Sequence, residues 1–392
     1  MAIIRKAGKE EYEEIMKLGE AAFNYRLTEE QKEDRRWQMD KQDILAVFED
    51  EKLAAKLHLL PLEVYLGEKR VRMGGIAGVA TYPEYRRAGY VSQMIKDSLS
   101  IMKDKGISLS LLHPFSVPFY RKFGYELTQY THTYQSSPSD LLSEKYQAKG
   151  KLKRKTYQEA RDELNHLYEK AASQYTLMLV RKDWWWTRRV IDSESVIILH
   201  YDNIGDPAGY IISTMKSDKL VIEEFIYHSA DAFYSLLQWV KNHDSMTNQV
   251  EMMLLPNNLD AIYFENPGIK EMKKAYFMAR IVDVETFFKE YPFYSAEESF
   301  DLRLHIRDEQ AGWNDGTWVW RVNGGKAVEV RKVNGFNQAD IYTDIQSLTA
   351  IMCGNMDVKS AVFMERMKGD AEKITAFEKT IRPQTAAFLD FF

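Results

Sequence analysis

The chain has 392 residues, 53 of them basic and 58 acidic, for a formal net charge of −5; that length exceeds one ordinary hydrophobic core and predicts three domains. Hydrophobic residues make up 45% and charged residues 28% of it, no apolar run approaches the ~18 residues of a membrane span, and no block of like charge forms a nucleic-acid-binding arm. The single cysteine, Cys353, excludes an intrachain disulfide and a multi-cysteine metal site, and the charged opening Met1 to Glu10 does not read as a signal peptide. The expectations are a cytoplasmic protein with no nucleic acid, no membrane and no metal among its partners, its mild negative charge suiting a cationic substrate.

Ile3-Ile4 reads as a short strand, and Tyr12, Ile15, Met16, Leu18, Ala22 and Phe23 recur at helical spacing. Thr28 and Gln31 have the spacing of a capping box that opens a second helix. Apolar runs from Ile44 to Phe48 and from Leu53 to Leu60 flank Glu49-Asp50-Glu51-Lys52 and predict a hairpin; Leu62 to Leu66 and Val71 to Met73 predict another around Gly67. Ile76 to Thr81 reads as a separate small-residue strand ending near Pro83. An amphipathic helix follows, with Val91, Met94, Ile95, Ser98, Leu99 and Met102 on one face and Gly106 at its end, then a buried strand from Ile107 to Leu112.

The Ser136 to Asp140 cluster and the basic stretch Lys149 to Lys155 mark a boundary. Beyond it come a helix from Tyr157 to Gln174, strands at Ser195–His200, Gly209–Met215 and Val221–Tyr227, a helix around Ala232–Lys241 and a strand at Val250–Leu255. This order repeats that of the first unit and predicts an internal duplication, although the second copy lacks a glycine-rich turn after its Glu224 to Tyr227 strand. After Pro292 strands such as Leu302–Ile306, Thr317–Val322 and Ala327–Val330 lead into helices at Asp344–Met352, Lys359–Met367 and Asp370–Phe377, an α+β third domain.

The segment that carries chemistry is a strand, a turn rich in Arg and Gly, then a helix: Val79, Ala80 and Thr81, then Arg86, Arg87, Ala88 and Gly89, then Tyr90, Val91 and Ser92. A helix start offers unpaired N–H groups and a positive dipole end to a pyrophosphate, and Gly89 lets backbone approach it closely. An R-x-x-G turn alone is equally an ordinary charged helix cap. Its context, with the stretch from Phe115 and Ser116 through Tyr120-Arg121-Lys122-Phe123-Gly124-Tyr125, resembles the core of the GNAT superfamily of N-acetyltransferases.

The whole arrangement, including Leu348 to Gly354, resembles the enhanced-intracellular-survival (Eis) family. That resemblance implies an α/β and α+β protein of tandem GNAT domains followed by a sterol-carrier-protein-like domain: a catalytic unit at residues 1–150, a degenerate one at 151–290 and the third at 291–392. It implies acetyl-CoA as cosubstrate and an amine acceptor, small molecule or peptide, such as aminoglycosides, polyamines or lysine-containing peptides. It implies a homo-oligomer, a hexamer. Carried onto this chain, Val79, Ala80 and Thr81 would pair with pantetheine amides, Arg87 through Ser92 would hold the pyrophosphate, and Phe115 and Ser116 would lie near the acyl end. Tyr120 would be the general acid and the carboxylate of Phe392 the general base. Tyr90 departs from the apolar pair that usually follows the glycine.

Other readings stand beside these. Tyr120 is also a packing residue by type, and His113 before Pro114 is a base by its ordinary pKa but a structural group by its strand-end position. Trp184, Trp185 and Trp186 read as interdomain core, and Trp37 as a wall of the acceptor pocket. The alternative function is a non-catalytic acyl-CoA or lipid-binding protein built around the third domain. The finish Phe388-Leu389-Asp390-Phe391-Phe392 is too aromatic for a frayed terminus and predicts a docked tail.

Overall fold

The computed structural model describes residues 2–142, 146–256, 268–294, 300–333 and 339–392. Strand β1 (Ala2–Lys6) leads into helices α1 (Tyr12–Phe23) and α2 (Glu29–Met39). Helix α1 buries Ile15, Met16 and Leu18 on one face, and α2 opens on the expected capping box, Thr28 accepting from the Gln31 N–H and Gln31 accepting from the Thr28 N–H. Then come β2 (Asp43–Glu49), β3 (Lys52–Leu66) and β4 (Lys69–Thr81). The two hairpins read from the sequence are one antiparallel run, because Leu53–Leu60 and Leu62–Leu66 are a single strand and Ile76–Thr81 is the end of β4. Pro61 joins the halves of β3 opposite Gly74, past the last residue that β2 pairs, so its missing N–H is tolerated.

Helix α3 (Tyr90–Asp104), β5 (Leu109–Leu112), α4 (Val117–Arg121) and β6 (Glu126–Leu127) follow. The next strand, β7 (Tyr130–Ser136), leaves this unit. It joins a second sheet with β8 (Lys151–Lys155), β9 (Val196–Tyr201), β10 (Pro207–Lys216), β11 (Lys219–Tyr227), β12 (Gln249–Leu254) and β13 (Lys270–Ala275), in the order β13-β7-β12-β11-β10-β9-β8. In return β14 (Met278–Ile281), buried at all four residues, enters the first sheet between β5 and β6, giving β1-β2-β3-β4-β5-β14-β6. The two sheets have exchanged a strand.

The second sheet repeats the first: β10 and β11 form a hairpin, β11 pairs β12 in parallel as β4 pairs β5, and helices α5 (Tyr157–Ala172) and α7 (Ala230–Lys241) pack on β10 and β11. The short helix α6 (Asp183–Trp185) lies between them in the chain. The N-terminus of α7 is closed by Ser229, whose hydroxyl accepts from the Ala232 N–H at 3.1 Å. The third sheet runs β17-β16-β15-β18-β19, from β15 (Phe300–Arg307), β16 (Gly316–Asn323), β17 (Lys326–Val333), β18 (Ile341–Asp344) and β19 (Met367–Gly369). Its interior is filled by rings: Trp320 stacks on Phe288 at 5.0 Å, with Phe293 and Phe377 around it.

The chain's end returns from this third sheet to the other two. Thr176 N–H donates to the Thr385 carbonyl at 2.9 Å and Ala387 N–H to the Thr176 carbonyl at 3.0 Å. The same strip, residues 176–180, is bound on its other side to β3 through Tyr65 N–H to Met178 O and Val180 N–H to Glu63 O, both 2.8 Å.

Candidate active site

β4 and β5 pair in parallel from Met73↔Leu109 to Ile76↔Leu112, and there the ladder stops. β4 continues for five residues with β3 on one side only. A bulge at Gly78, φ +55°, shifts the β3–β4 register between Lys56 and His58 and bends the strand away from β5. A side chain at Gly78 would collide with the His58 ring at 2.8 Å. The result is a wedge between two parallel strands whose wall is the half-buried backbone of Ala77, Gly78 and Val79. Ala80 and Thr81 extend that wall, and the Thr81 hydroxyl is buried without a hydrogen-bond partner. Unpaired strand backbone suits an extended chain of amides such as pantetheine.

The wedge points toward the start of α3. Arg87 and Gly89 have φ of +70° and +85°, turning successive backbone N–H groups the same way. No side chain caps α3, so the N–H groups of Tyr90, Val91 and Ser92 are free for an anion. Arg87, Ala88 and Gly89 are exposed, and a Cβ at Gly89 would meet nothing within 4 Å, which leaves open space for a phosphate. The Tyr90 hydroxyl donates to Glu49 Oε2 at 2.7 Å, so its ring is tied to the β2 end and away from that space. These features fit an acyl-CoA: amide-pairing strand edge, then a pyrophosphate cradle.

At the other end of the wedge lies a cleft of about 510 Å³, lined by Ala77, Gly78 and Val79 and also by Phe115, Tyr120 and Phe392. Tyr120 stands one turn into α4, its ring packed against Phe115, Phe119 and Tyr125 at centroid distances of 5.4, 5.1 and 6.2 Å. Among the described residues its hydroxyl has no hydrogen-bond partner. Burial, with Tyr125 beside it, raises its pKa, so the phenol keeps its proton at neutral pH. Ser116 is the N-cap residue of α4. Gly124 just beyond α4 has φ +81°, and a Cβ there would strike the Arg280 guanidinium, which accounts for the glycine of the Tyr-x-x-Phe-Gly-Tyr pattern.

The tail is docked. Phe388 and Phe392 pack on Phe277 at 4.6 and 5.0 Å, and the Phe392 ring lies over Gly75, where a Cβ would come within 2.7 Å of it. Phe391 lies against His113 at 5.2 Å. Asp390 is fully buried; its Oδ1 accepts from Arg181 Nε at 2.9 Å and Trp185 Nε1 at 2.6 Å, and the Tyr276 hydroxyl donates to its carbonyl at 2.8 Å. The terminal residue is thereby held in the same cleft as Tyr120. His113 lines that cleft too, its pKa lowered by burial and by Lys274.

The sequence reading missed the cleft's charge. Lys56 and His58 stand on one face of β3, Lys56 Nζ 3.2 Å from His58 Nε2, and His58 Nδ1 is 2.9 Å from Gln42 Oε1. Burial, helped by Arg35, lowers Lys56 to about 7; burial and Lys56 lower His58, so that ring is neutral. Two polar residues at alternate positions in the apolar run from Leu53 to Leu60 were the available signal. Arg189, from the second unit, and Arg35 complete the set, and nothing local in the sequence joins them. An adjoining groove is walled by Trp37, Trp184 and Trp185, with Trp37 and Trp184 edge to face at 5.5 Å. Trp185 and Trp186 are core, as read, whereas Trp184 is half-exposed in this groove.

Among the described residues no helix is long and apolar enough to cross a membrane, and no group of three or more His, Cys, Asp or Glu could hold a metal ion. Family models match the chain in three stretches: an acetyltransferase (GNAT) domain at residues 3–128, a second acetyltransferase (GNAT) domain at 177–281 and a sterol carrier protein domain at 284–390. No curated protein matches the sequence. Among solved structures, a protein of Enterococcus faecalis V583 described as a probable N-acyltransferase aligns over 100% of both chains at 28% identity, TM-score 0.94. A GCN5-related N-acetyltransferase of Anabaena variabilis shares the fold over 100% of both chains at 22% identity, TM-score 0.88, and Eis1 of Mycobacterium abscessus over 99% of each at 17%, TM-score 0.78. The chain is a GNAT-family N-acyltransferase that uses an acyl-CoA donor, with the Eis-like order of two GNAT domains and a terminal sterol-carrier-protein domain.

Proposed function

We propose that the protein transfers an acetyl group from acetyl-CoA to an amine, with Tyr120 as general acid and the α-carboxylate of Phe392 as general base. One observation carries this reading: Tyr120, the terminal Phe392 and the open edge of β4 line a single cleft. When bound, the thioester supplies an activated acyl carbon, to which the amine nitrogen bonds as the carbon–sulfur bond breaks. The Phe392 carboxylate takes the proton the amine loses. Tyr120 gives its proton to the departing sulfur; burial raises the phenol, and the same dry surroundings disfavour a free thiolate, so the transfer is not opposed by desolvation. A backbone N–H of the Val79–Thr81 edge would polarise the thioester carbonyl.

Arg87 through Ser92 hold the pyrophosphate, Val79, Ala80 and Thr81 pair with the pantetheine arm, and Phe115 and Ser116 flank the acyl end. Catalysis belongs to the unit of residues 1–150; in the second unit the Ser229 cap already occupies the helix end that would bind phosphate. The chain assembles as a homo-oligomer in this reading, which sedimentation tests. The decisive assay is thiol release from acetyl-CoA with a panel of amines, including aminoglycosides, polyamines and lysine-containing peptides. Release that depends on an amine and falls in Tyr120→Phe supports the reading; coenzyme binding without thiol release on any amine refutes it in favour of an acyl-CoA-binding protein.

A further inference from the structure

The acceptor end of the cleft has an unbalanced charge. Among the described residues three basic side chains line it, Arg35, Lys56 and Arg189, and no Asp or Glu side chain does. Elsewhere this fold matches its buried guanidinium groups to carboxylates: Arg181 to Asp390 and Glu224, Arg280 to Asp308 at 2.6 Å. In the cleft the pattern fails. Arg189 Nη2 and Arg35 Nη1 converge on one neutral acceptor, Gln38 Oε1, at 2.7 and 3.4 Å, and Arg189 Nε is buried with no partner. Lys56 Nζ has the neutral His58 ring. Among the described residues none of the three has a carboxylate within ion-pair distance, the chain's own terminus included. Burial and the Arg35 charge push Arg189 down to about 10.

Like charges gathered in a half-dry cavity are costly, and an incoming anion relieves that cost. We propose that the acceptor is a primary amine carrying its own anionic group, a carboxylate or a phosphate, held by Arg35, Lys56 and Arg189 while the amine reaches toward Tyr120. The inference rests on the reading of this cleft as the acceptor site. The Trp37–Trp184 groove, which shares Gln38, Gln42, Leu60 and Arg189 with the cleft, gives the acceptor's body an aromatic wall. Among the described residues a polycation finds no acidic side chain lining the cleft, and the one in the adjoining groove, Glu63, already lies 3.8 Å from Lys182 Nζ.

The test uses the full chain and probes of matched shape: 4-(aminomethyl)benzoate, its carboxamide, 4-(aminomethyl)phenylphosphonate, and spermidine. Charge-assisted hydrogen bonds predict kcat/KM for thiol release about 10–100-fold higher with the benzoate or phosphonate than with the carboxamide. Comparison of the two anions tells carboxylate from phosphate. Arg189→Gln should collapse the benzoate-to-carboxamide ratio through KM while coenzyme affinity is kept. Equal or better use of the carboxamide or spermidine overturns the inference and leaves acyl transfer standing, as does a loss of coenzyme affinity in Arg189→Gln, which would assign the cluster to the coenzyme. If no amine releases thiol, acyl transfer fails instead. Quenching of tryptophan fluorescence by the same probes then decides the anion site, equal binding of benzoate and carboxamide overturning it.

Discussion

Replacing Asp390 with alanine tests the docking of the tail at its most buried point. The carboxylate accepts from Arg181 Nε and Trp185 Nε1, and the Tyr168 hydroxyl lies 3.3 Å from its Oδ2. Burial raises its pKa, Arg181 opposing and Glu224 adding to the rise. Removing one partner of a buried ion pair costs about 3–5 kcal/mol; Glu224 keeps its bonds to Arg181, so the lower end applies, about 3 kcal/mol. At 1.4 kcal/mol per tenfold, that raises the undocked population about 100-fold. Carboxypeptidase A reads this directly, because release of the terminal phenylalanine follows the open population when reclosing outpaces cleavage. Asp390→Ala should lose Phe392 about 100-fold faster than wild type, and Asp390→Asn, which keeps an Oδ1 acceptor for Arg181 and Trp185, much less. Digestion of the alanine variant at the wild-type rate would refute the docking argument. Thiol-release activity should disappear in step with Phe392, and a trimmed chain at full turnover would refute the base assignment.

Tyr120→Phe should lower turnover about 100-fold or more while coenzyme affinity by calorimetry is kept, since only the phenolic proton is lost. A C-terminal extension of several residues should abolish most turnover, and an equal N-terminal one should not; an extended chain of full activity in the thiol assay defeats the carboxylate's role. Gly89→Val forces a β-branched residue to φ +85° beside the phosphate cradle and should weaken acetyl-CoA by about tenfold in calorimetry. Lys56 titrates near 7 folded against 10.5 unfolded, so between those values the folded state binds fewer protons and stability rises with pH. Urea midpoints at pH 7 and pH 9 should show a gain of about 2 kcal/mol that Lys56→Met removes.

Local chemistry was legible in the sequence and distant chemistry was not. The Arg86–Ser92 turn, the α3 stripe and the capping box at Thr28 are each written within a few residues, and the aromatic finish announced a docked tail because rings at a frayed end would otherwise face water. β3 and β4 were read as pieces because Pro61 interrupts an apolar run, a signal that fails where the neighbouring strand has already ended. The move of β14 into the first sheet was illegible: Met278–Ile281 is four residues long, and its partners Leu109–Leu112 lie far back in the chain. The convergence of Arg35 and Arg189 on Gln38 was hidden for the same reason, since it depends on how the second unit packs on α2.

That dependence explains why the proposed general acid cannot be separated from the rest of the chain. Tyr120 is placed by α4, and the end of α4 is held by Arg280, which donates to the Phe123 carbonyl from strand β14. Arg280 lies fully buried, and among the described residues its charge is matched only by Asp308 of the third domain, at 2.6 Å, which Asn314 also bonds at 3.0 Å. A guanidinium left there without Asp308 would be an uncompensated buried charge, so the third domain stabilises the very strand that anchors the tyrosine. The same domain sends back the tail that ends in the cleft, and the second unit contributes Arg189 to its wall. A first GNAT unit cut free at its own last strand would lack the strand that joins β6 to its sheet, the support of Tyr120, the Arg189 wall of the cleft and the proposed terminal base together. The second GNAT unit and the sterol-carrier-protein domain therefore both help to build the candidate active site of the first.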